Sequence, residues 1–433
     1  MSEDDRRHFG STTLAALVVA NMIGAGVFTT SGYALADLGS PARVLAAWAV
    51  GGAIALCGAI GYGALSRQLT QSGGEYLFLS RVVHPVAGFV AGWISLLAGF
   101  TGAIAFAAHA FESYVRPPDA AIPERLIAIG AVLLAALLHG VRVRPGAWTQ
   151  NLIVGLKLVV LVGFVGACAV LWITGGAAWA PGTPAPGPFS VTVFASSLVW
   201  ISLSYSGFNA AVYVAGEARD PVRTVPRAML RATVAVTVLY LALNTVFVGF
   251  APHEAVSGRP DVAFAAARAL MGDAGAQVVR AVVGLALLSS VSSMIMAGPR
   301  VFARMADDGL FPAALRFRGE VPTTAIWAQA ALAVLVIVVS DLESLLSYLG
   351  LTLSLSAALT VSGLFLLRRR HGAERVPVTG SIALPAVYVI ATIGLGVLAA
   401  WEKPWEWVAA VVTIASGALV YALIRRGRAP ASR

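Results

Sequence analysis

Apolar runs of membrane-crossing length recur along the whole chain, and that recurrence restricts it to one kind of fold. A helix needs about 20 such residues to cross roughly 30 Å of hydrocarbon. Twelve runs qualify: Ser11–Leu35, Pro41–Ser66, Pro85–Phe111, Ile122–Gly140, Thr149–Thr174, Ser190–Ala215, Pro226–Phe250, Gly275–Arg300, Pro322–Val339, Leu342–Leu367, Ser381–Ala400 and Pro404–Leu423. The segments between them are too short for a soluble domain. Of the 433 residues, 58% are hydrophobic and 12% charged, against about a quarter charged in an ordinary soluble domain. Backbone polar groups in hydrocarbon must be bonded internally. The expectation is therefore an all-α polytopic membrane protein of twelve transmembrane helices, a single membrane domain over residues 1–433. The first run is too long for a secretory leader and has no leader-type cleavage site, so it reads as a retained helix.

The cations report sidedness. With the N-terminus inside, the outside segments hold only Arg43, Arg116, Arg125, Arg259, Arg268, Arg280 and Lys403, while every other arginine falls on the inside segments. Short loops rich in Lys and Arg stay cytoplasmic. Both termini are thus expected in the cytoplasm, on a multi-pass protein of the plasma (cell inner) membrane whose surroundings are lipid. The net charge of +9 follows from this topology; positives spread along one face with no interleaved aromatics do not make a nucleic-acid surface. Cys57 and Cys168 lie inside apolar runs without metal-type spacing, and no metal or cofactor is expected.

Lys157 breaks the pattern. It is one of two lysines in the chain and sits midway in the fifth run, where no other charge appears. An ammonium there costs at least a few kcal/mol, and intramembrane charges usually face a bundle interior or a substrate path.

Two runs are interrupted. In the first, Asn21-Met22-Ile23-Gly24-Ala25-Gly26-Val27-Phe28 sets two glycines near mid-membrane, each weakening a helix by roughly 1 kcal/mol relative to alanine. In the sixth, Leu203-Ser204-Tyr205-Ser206-Gly207-Phe208-Asn209 does much the same at similar depth. Each could reflect only close packing through small residues. As a pair they say more. Unwound backbone is tolerated at membrane depth only where it lines a cavity or is buried by protein, and the freed N–H groups at the following half-helix suit a carboxylate. The breaks open two units of five helices, residues 11–174 and 190–367, separated by the Pro/Gly-rich segment Gly175 to Phe189. An odd number of helices per unit inverts the second against the first, and matched interrupted helices in inverted units point to a transporter's midplane site. The last two helices, 381–424, lie outside the repeat.

The chain resembles the amino acid-polyamine-organocation transporters over nearly its whole length. The resemblance rests on Gly24-Ala25-Gly26-Val27-Phe28, on Gln71-Ser72-Gly73-Gly74-Glu75-Tyr76, and on Ser206-Gly207-Phe208-Asn209 running into Gly216-Glu217-Ala218-Arg219-Asp220-Pro221 and Pro226-Arg227-Ala228. Ala297-Gly298-Pro299-Arg300 and Ala306-Asp307-Asp308-Gly309-Leu310-Phe311-Pro312 complete it in the same order.

The resemblance implies a LeuT-like fold, a 5+5 inverted repeat with discontinuous helices 1 and 6, plus two C-terminal helices, moving amino acids by alternating access. It puts the substrate carboxylate on the backbone of Ile23, Gly24, Ala25 and Gly26, and the amino group on carbonyls around Leu203, Ser204, Tyr205, Ser206 and Gly207. It sets Lys157 where sodium-coupled relatives of this fold hold an ion. On the eighth run Ala286, Ser289 and Ser290 share one face, and the hydroxyls of Ser289 and Ser290 are the expected acceptors from the ammonium. Leu203 stands where the family often has an aromatic gate, leaving Trp200 or Tyr205 to cover the substrate or the site to close with a softer lid. Ser293 likewise replaces a large aromatic of the arginine/agmatine antiporter.

No acid falls within the broken segments; Glu112 and Glu217 lie near helix ends, where solvated charges belong. Neutral L-amino acids are therefore the expected substrates, carried without sodium by proton symport or exchange. A cationic amino acid or polyamine transporter, or a non-transporting sensor of the same fold, stays open. An intramembrane enzyme has little support, since no metalloprotease motif, paired membrane carboxylates or nucleotide loop occurs.

Overall fold

The computed structural model describes residues 9–116, 122–140, 147–179, 182, 184, 187–307, 309, 311–316 and 322–427; side chains at 147–154, 304, 426 and 427 fall outside that description. Both chain ends, part of the segment Gly175 to Phe189, Asp308 and Leu310 therefore lie outside the described residues. Among those described, the fold is helical with no strand, apart from one parallel bridge between Phe9 and Ala218.

The helices are α1 (Ser11–Met22), α2 (Gly26–Leu38), α3 (Pro41–Gln68), α4 (Gly74–Val82), α5 (Pro85–Ile94), α6 (Ala103–Val115), α7 (Leu126–Gly140), α8 (Ala147–Ile173), α9 (Val191–Tyr205), α10 (Pro221–Asn244), α11 (His253–Val256), α12 (Val262–Asp307), α13 (Thr323–Val339), α14 (Leu342–His371), α15 (Ala383–Ala399) and α16 (Pro404–Gly427). Among the described residues eight are long and apolar enough to cross a membrane, or nine when α1 and α2, bent by 44° at their junction, count as one span. α7, α13 and α15 are apolar but shorter.

Helix ends follow local chemistry. Proline opens α3, α5 and α10, where the missing N–H costs nothing. Asp341 caps α14 by accepting from the Ser344 amide at 2.8 Å. Three helices depart from the simple expectation. The third run passes from α5 through a π segment, Ser95–Gly102, into α6. The seventh begins at Pro221, keeps Pro226 inside, and ends in a π turn, Thr245–Phe250. The eighth extends back to Val262 through a kink at Gly272, whose φ of 71° suits glycine.

The centre is built from the interrupted segments and their neighbours. α10 packs along α1 and α3, α9 against α2, α3 and α14, and α12 against α6, α7 and α8. α15 and α16 flank this body, α15 against α3, α9 and α14 and α16 against α5 and α14.

Candidate substrate and coupling site

Both interruptions fall where the glycines set them. α1 stops at Met22, residues 23–25 are non-helical, and α2 restarts at Gly26 behind an Ala25 that offers no side-chain cap. The first amides of α2 are therefore not taken by a cap, as an anion-binding helix start requires. α9 stops at Tyr205, and Gly207 turns the chain with a φ of 96°. The following half, Ala210–Glu217, is a 3₁₀ helix where a second α-helical half was expected.

The two breaks touch. A Cβ on Gly26 would come within 2.9 Å of Ser204 Cα, and one on Gly207 within 3.1 Å of the Asn21 carbonyl carbon. Thr30 Oγ1 lies 3.3 Å from Ser204 Oγ. Tyr240, from the last turn but one of α10, ties them further. Its hydroxyl lies 2.6 Å from Met22 O and 3.0 Å from Ser204 O and can donate to either, so one side chain contacts the last carbonyl of α1 and a carbonyl of α9. Removing that hydroxyl takes away the one proton the two carbonyls share; Met22 O keeps the Gly24 amide at 2.8 Å, and the loss of one buried hydrogen bond costs about 1.4 kcal/mol. Tyr240→Phe should lower substrate affinity about tenfold, read by scintillation binding on a protein that still elutes as a single species; unchanged affinity would detach Tyr240 from the site.

The carbonyls expected to hold an amino group each carry one bond already. Leu203 O accepts from the Ser206 amide at 3.1 Å, Ser204 O lies within reach of Tyr240, and Gly207 O accepts from the Ala210 amide at 2.9 Å. A carbonyl has two lone pairs, so each keeps capacity for an ammonium.

Lys157 is 5% exposed and donates to Ile23 O at 2.5 Å. That carbonyl belongs to the C-cap of α1, the negative end of the half-helix dipole, where a cation is favoured. The expected partners differ. Ser290 Oγ donates to Ala286 O at 3.0 Å and Ser293 Oγ to Ser289 O at 2.8 Å, both within α12. Hydroxyls on a helix can always satisfy themselves on the preceding turn, whereas Ile23 O has lost its helical donor. α8 and α12 do pack together, and Ser289 and Ser290 are half-buried on α12.

The two proposed covers separate. Trp200 is buried, donates to Ser347 Oγ at 2.7 Å, meets Tyr33 edge-on at 6.3 Å and has Lys403 Nζ 5.5 Å over its ring. This is a plug between α9, α2 and α14. Tyr205 corrects the alternative: its ring packs against Trp48 at 5.8 Å and Tyr240 at 5.2 Å, and its hydroxyl donates to Trp48 O. Its side chain faces α3 and not the meeting point of the breaks.

Two side chains escaped the sequence reading. Tyr240 looks like any aromatic in an apolar run. Glu75 was seen only as part of a motif, yet it is buried and accepts from Tyr62, Asn209 and Ser356. Burial pushes its carboxyl above the ordinary carboxylate range, while hydrogen bonds from Tyr62, Ser356 and Asn209 pull the other way. Glu112, expected to be solvated, is buried too. The signal for Glu75 was its pair of preceding glycines, Gly73 and Gly74, both at positive φ.

The family profile described as amino acid permease matches residues 9–424, which takes in both breaks, Lys157 and Glu75. The chain belongs to the amino acid permease family. As such it is a multi-pass transmembrane protein of the amino acid-polyamine-organocation superfamily. It is 26% identical to the mouse large neutral amino acids transporter small subunit 2, over 96% of this chain and 81% of that one. It is also 26% identical to the mouse b(0,+)-type amino acid transporter 1, over 94% and 85%, and 25% identical to the mouse Asc-type amino acid transporter 1, over 96% and 81%. The permease thus shares its length with proteins named as amino acid transporters, and the touching breaks lie inside the shared part.

Proposed function

We propose that the chain is a sodium-independent secondary transporter of neutral L-amino acids, working by alternating access in the plasma membrane with both termini cytoplasmic. Twelve helices, arranged as residues 11–174 and 190–367 in inverted 5+5 relation with 381–424 outside the repeat, accommodate the observed helices. The observation that carries the reading is the ammonium of Lys157 on Ile23 O, beside the uncapped start of α2. A fixed cation at the break supplies positive charge without a mobile ion, which supports sodium independence. The amides of Ala25 and Gly26 receive the substrate carboxylate, since those of Ile23 and Gly24 already donate to Val19 O and Met22 O, and the carbonyls of Leu203, Ser204 and Gly207 receive its amino group. No acid lies within either break, which supports a zwitterion over a cation, and a relative is named as a large neutral amino acids transporter.

The test is uptake of a panel of labelled L-amino acids into proteoliposomes. It is run with and without sodium, a pH gradient and internal amino acid. Leucine-class uptake equal in sodium and choline is expected. Dependence on internal substrate with indifference to pH would select exchange over proton symport. Sodium-dependent flux, arginine in preference to leucine, or binding without flux would each overturn the reading.

A further inference from the structure

Glu75 sits at the first turn of α4, 7% exposed, and its two oxygens join three other elements. Oε1 accepts from Tyr62 Oη of α3 at 2.5 Å and from Asn209 Nδ2, in the break of the sixth segment, at 3.2 Å. Oε2 accepts from Ser356 Oγ of α14 at 2.9 Å. Among the described residues no Lys, Arg or His lies within ion-pair reach of it. The turn that delivers it is equally specific. Gly73 and Gly74 have φ of 149° and 57°, and a Cβ on Gly74 would run into the ring of Tyr213 in the 3₁₀ half. Ser72 Oγ accepts from the Gly216 amide at 3.0 Å. The turn before α4 is thereby held against the middle and the C-terminal end of Ala210–Glu217.

This cluster lies toward the arginine-rich end. Next to it in the fold, Arg67 donates to Thr379 and Gln68 to Arg375 O, and Arg370 donates to Val82 O at the far end of α4. Above the carboxylate the ring of Tyr62 meets Phe208 edge-on at 5.5 Å, and Phe208 meets Tyr388 at 6.1 Å. Tyr62, Phe208 and Tyr388 thus pack ring on ring where the second break meets α3 and α15.

A carboxylate is an unusual choice for a merely structural tie. Charge-assisted hydrogen bonds are about twice as strong as neutral ones, so three of them hold four segments firmly. The same carboxylate, buried with no cation, carries a desolvation cost that water would return on opening. The two effects oppose each other. A tie of that kind is strong when closed and yet cheap to exchange for water, as a gate requires and a static core does not.

We propose that Glu75 is the latch of the gate on the arginine-rich side: its carboxylate holds α3, the sixth segment and α14 together when that side is closed, and opening exchanges the three protein donors for water. Glu75 acts as a positioning residue and touches no substrate. The inference rests on the transporter reading only for its purpose; the latch itself is read by access.

The test uses the full-length chain with Cys57→Ala, Cys168→Ala and a reporter, Thr360→Cys, one turn beyond Ser356 on α14 and buried. A membrane-impermeant methanethiosulfonate is applied to either face of oriented vesicles. Glu75→Gln keeps the shape and neutralises the charge, and labelling from the arginine-rich face should accelerate about tenfold, with no acceleration from the other face. Tyr62→Phe, which removes one hydroxyl, should move it in the same direction and decides the matter if Glu75→Gln does not elute as a single species. Labelling rates within twofold of the parent, in a variant that elutes like it, would overturn the latch, as would equal acceleration from both faces. Failure of the transporter reading would show separately, as parent proteoliposomes without flux.

Discussion

Lys157→Ala should abolish transport while leaving the protein about as stable as before. The two halves of that result have different origins. In the parent the ammonium is the donor to Ile23 O, a buried carbonyl at the end of α1 with no helical partner of its own. Losing a buried charged hydrogen bond costs about 3 kcal/mol at the upper end, which converts to roughly 150-fold in an equilibrium constant, and in the proposed function the cation's field at the substrate carboxylate is lost with it. Uptake should therefore fall by two orders of magnitude or more. Stability should change little, because the desolvation cost of several kcal/mol that the buried ammonium carries and alanine does not offsets the lost hydrogen bond. Thermal melting in detergent close to the parent midpoint, together with flux at background, is the expected pair. Parent-level uptake would remove Lys157 from the mechanism; a large fall in the midpoint would recast it as a structural pin. Lys157→Met, closer in length and apolar, should behave as alanine does, which separates lost charge from lost volume.

The parts of this site that the sequence discloses are those encoded locally. Gly24 and Gly26 mark the first break, Gly207 with its flanking serines the second, and a solitary lysine among Leu, Val and Gly announces itself against its background. The partners are another matter. Helical periodicity places Ser289 and Ser290 on one face of α12, but it carries no information about which group of which neighbour lies nearest the lysine. The decisive fact, that Ile23 O has been released by the break and is the needier acceptor, is a property of backbone geometry. Glu75 shows the same limit more sharply. Its donors are 13, 134 and 281 residues away in sequence, so no window along the chain contains the cluster. The π segments of the third and seventh runs escape for a simpler reason. Their residues are as apolar as any α-helix, and the extra residue per turn is imposed by packing.

Gly26→Ala should be as damaging as the loss of Lys157, and Gly24→Ala should not. The motif presents its two glycines as equivalent, and their surroundings separate them. A Cβ at Gly24 meets nothing nearer than Met22 O at 4.0 Å, whereas one at Gly26 falls 2.9 Å from Ser204 Cα and 3.0 Å from Ser204 Cβ. Main chain cannot give way as a side chain does, so α2 and α9 must separate at the point where the breaks meet. Overpacking of this kind costs about 1–3 kcal/mol. The displacement also takes the α2 amides away from the carbonyls of Leu203 and Ser204, which in the proposed function hold the two ends of one small substrate. Uptake by Gly26→Ala should fall by about two orders of magnitude, with a lowered melting midpoint, and Gly24→Ala should stay within a few-fold of the parent. Ser204→Gly removes two of the three nearest atoms in the clash, Oγ and Cβ. Placed on top of Gly26→Ala it should restore part of the flux, giving a favourable coupling in a double-mutant cycle. Additive losses would mean that the two breaks do not meet in the working protein, and parent-level flux in Gly26→Ala would mean that the distance between them is not critical.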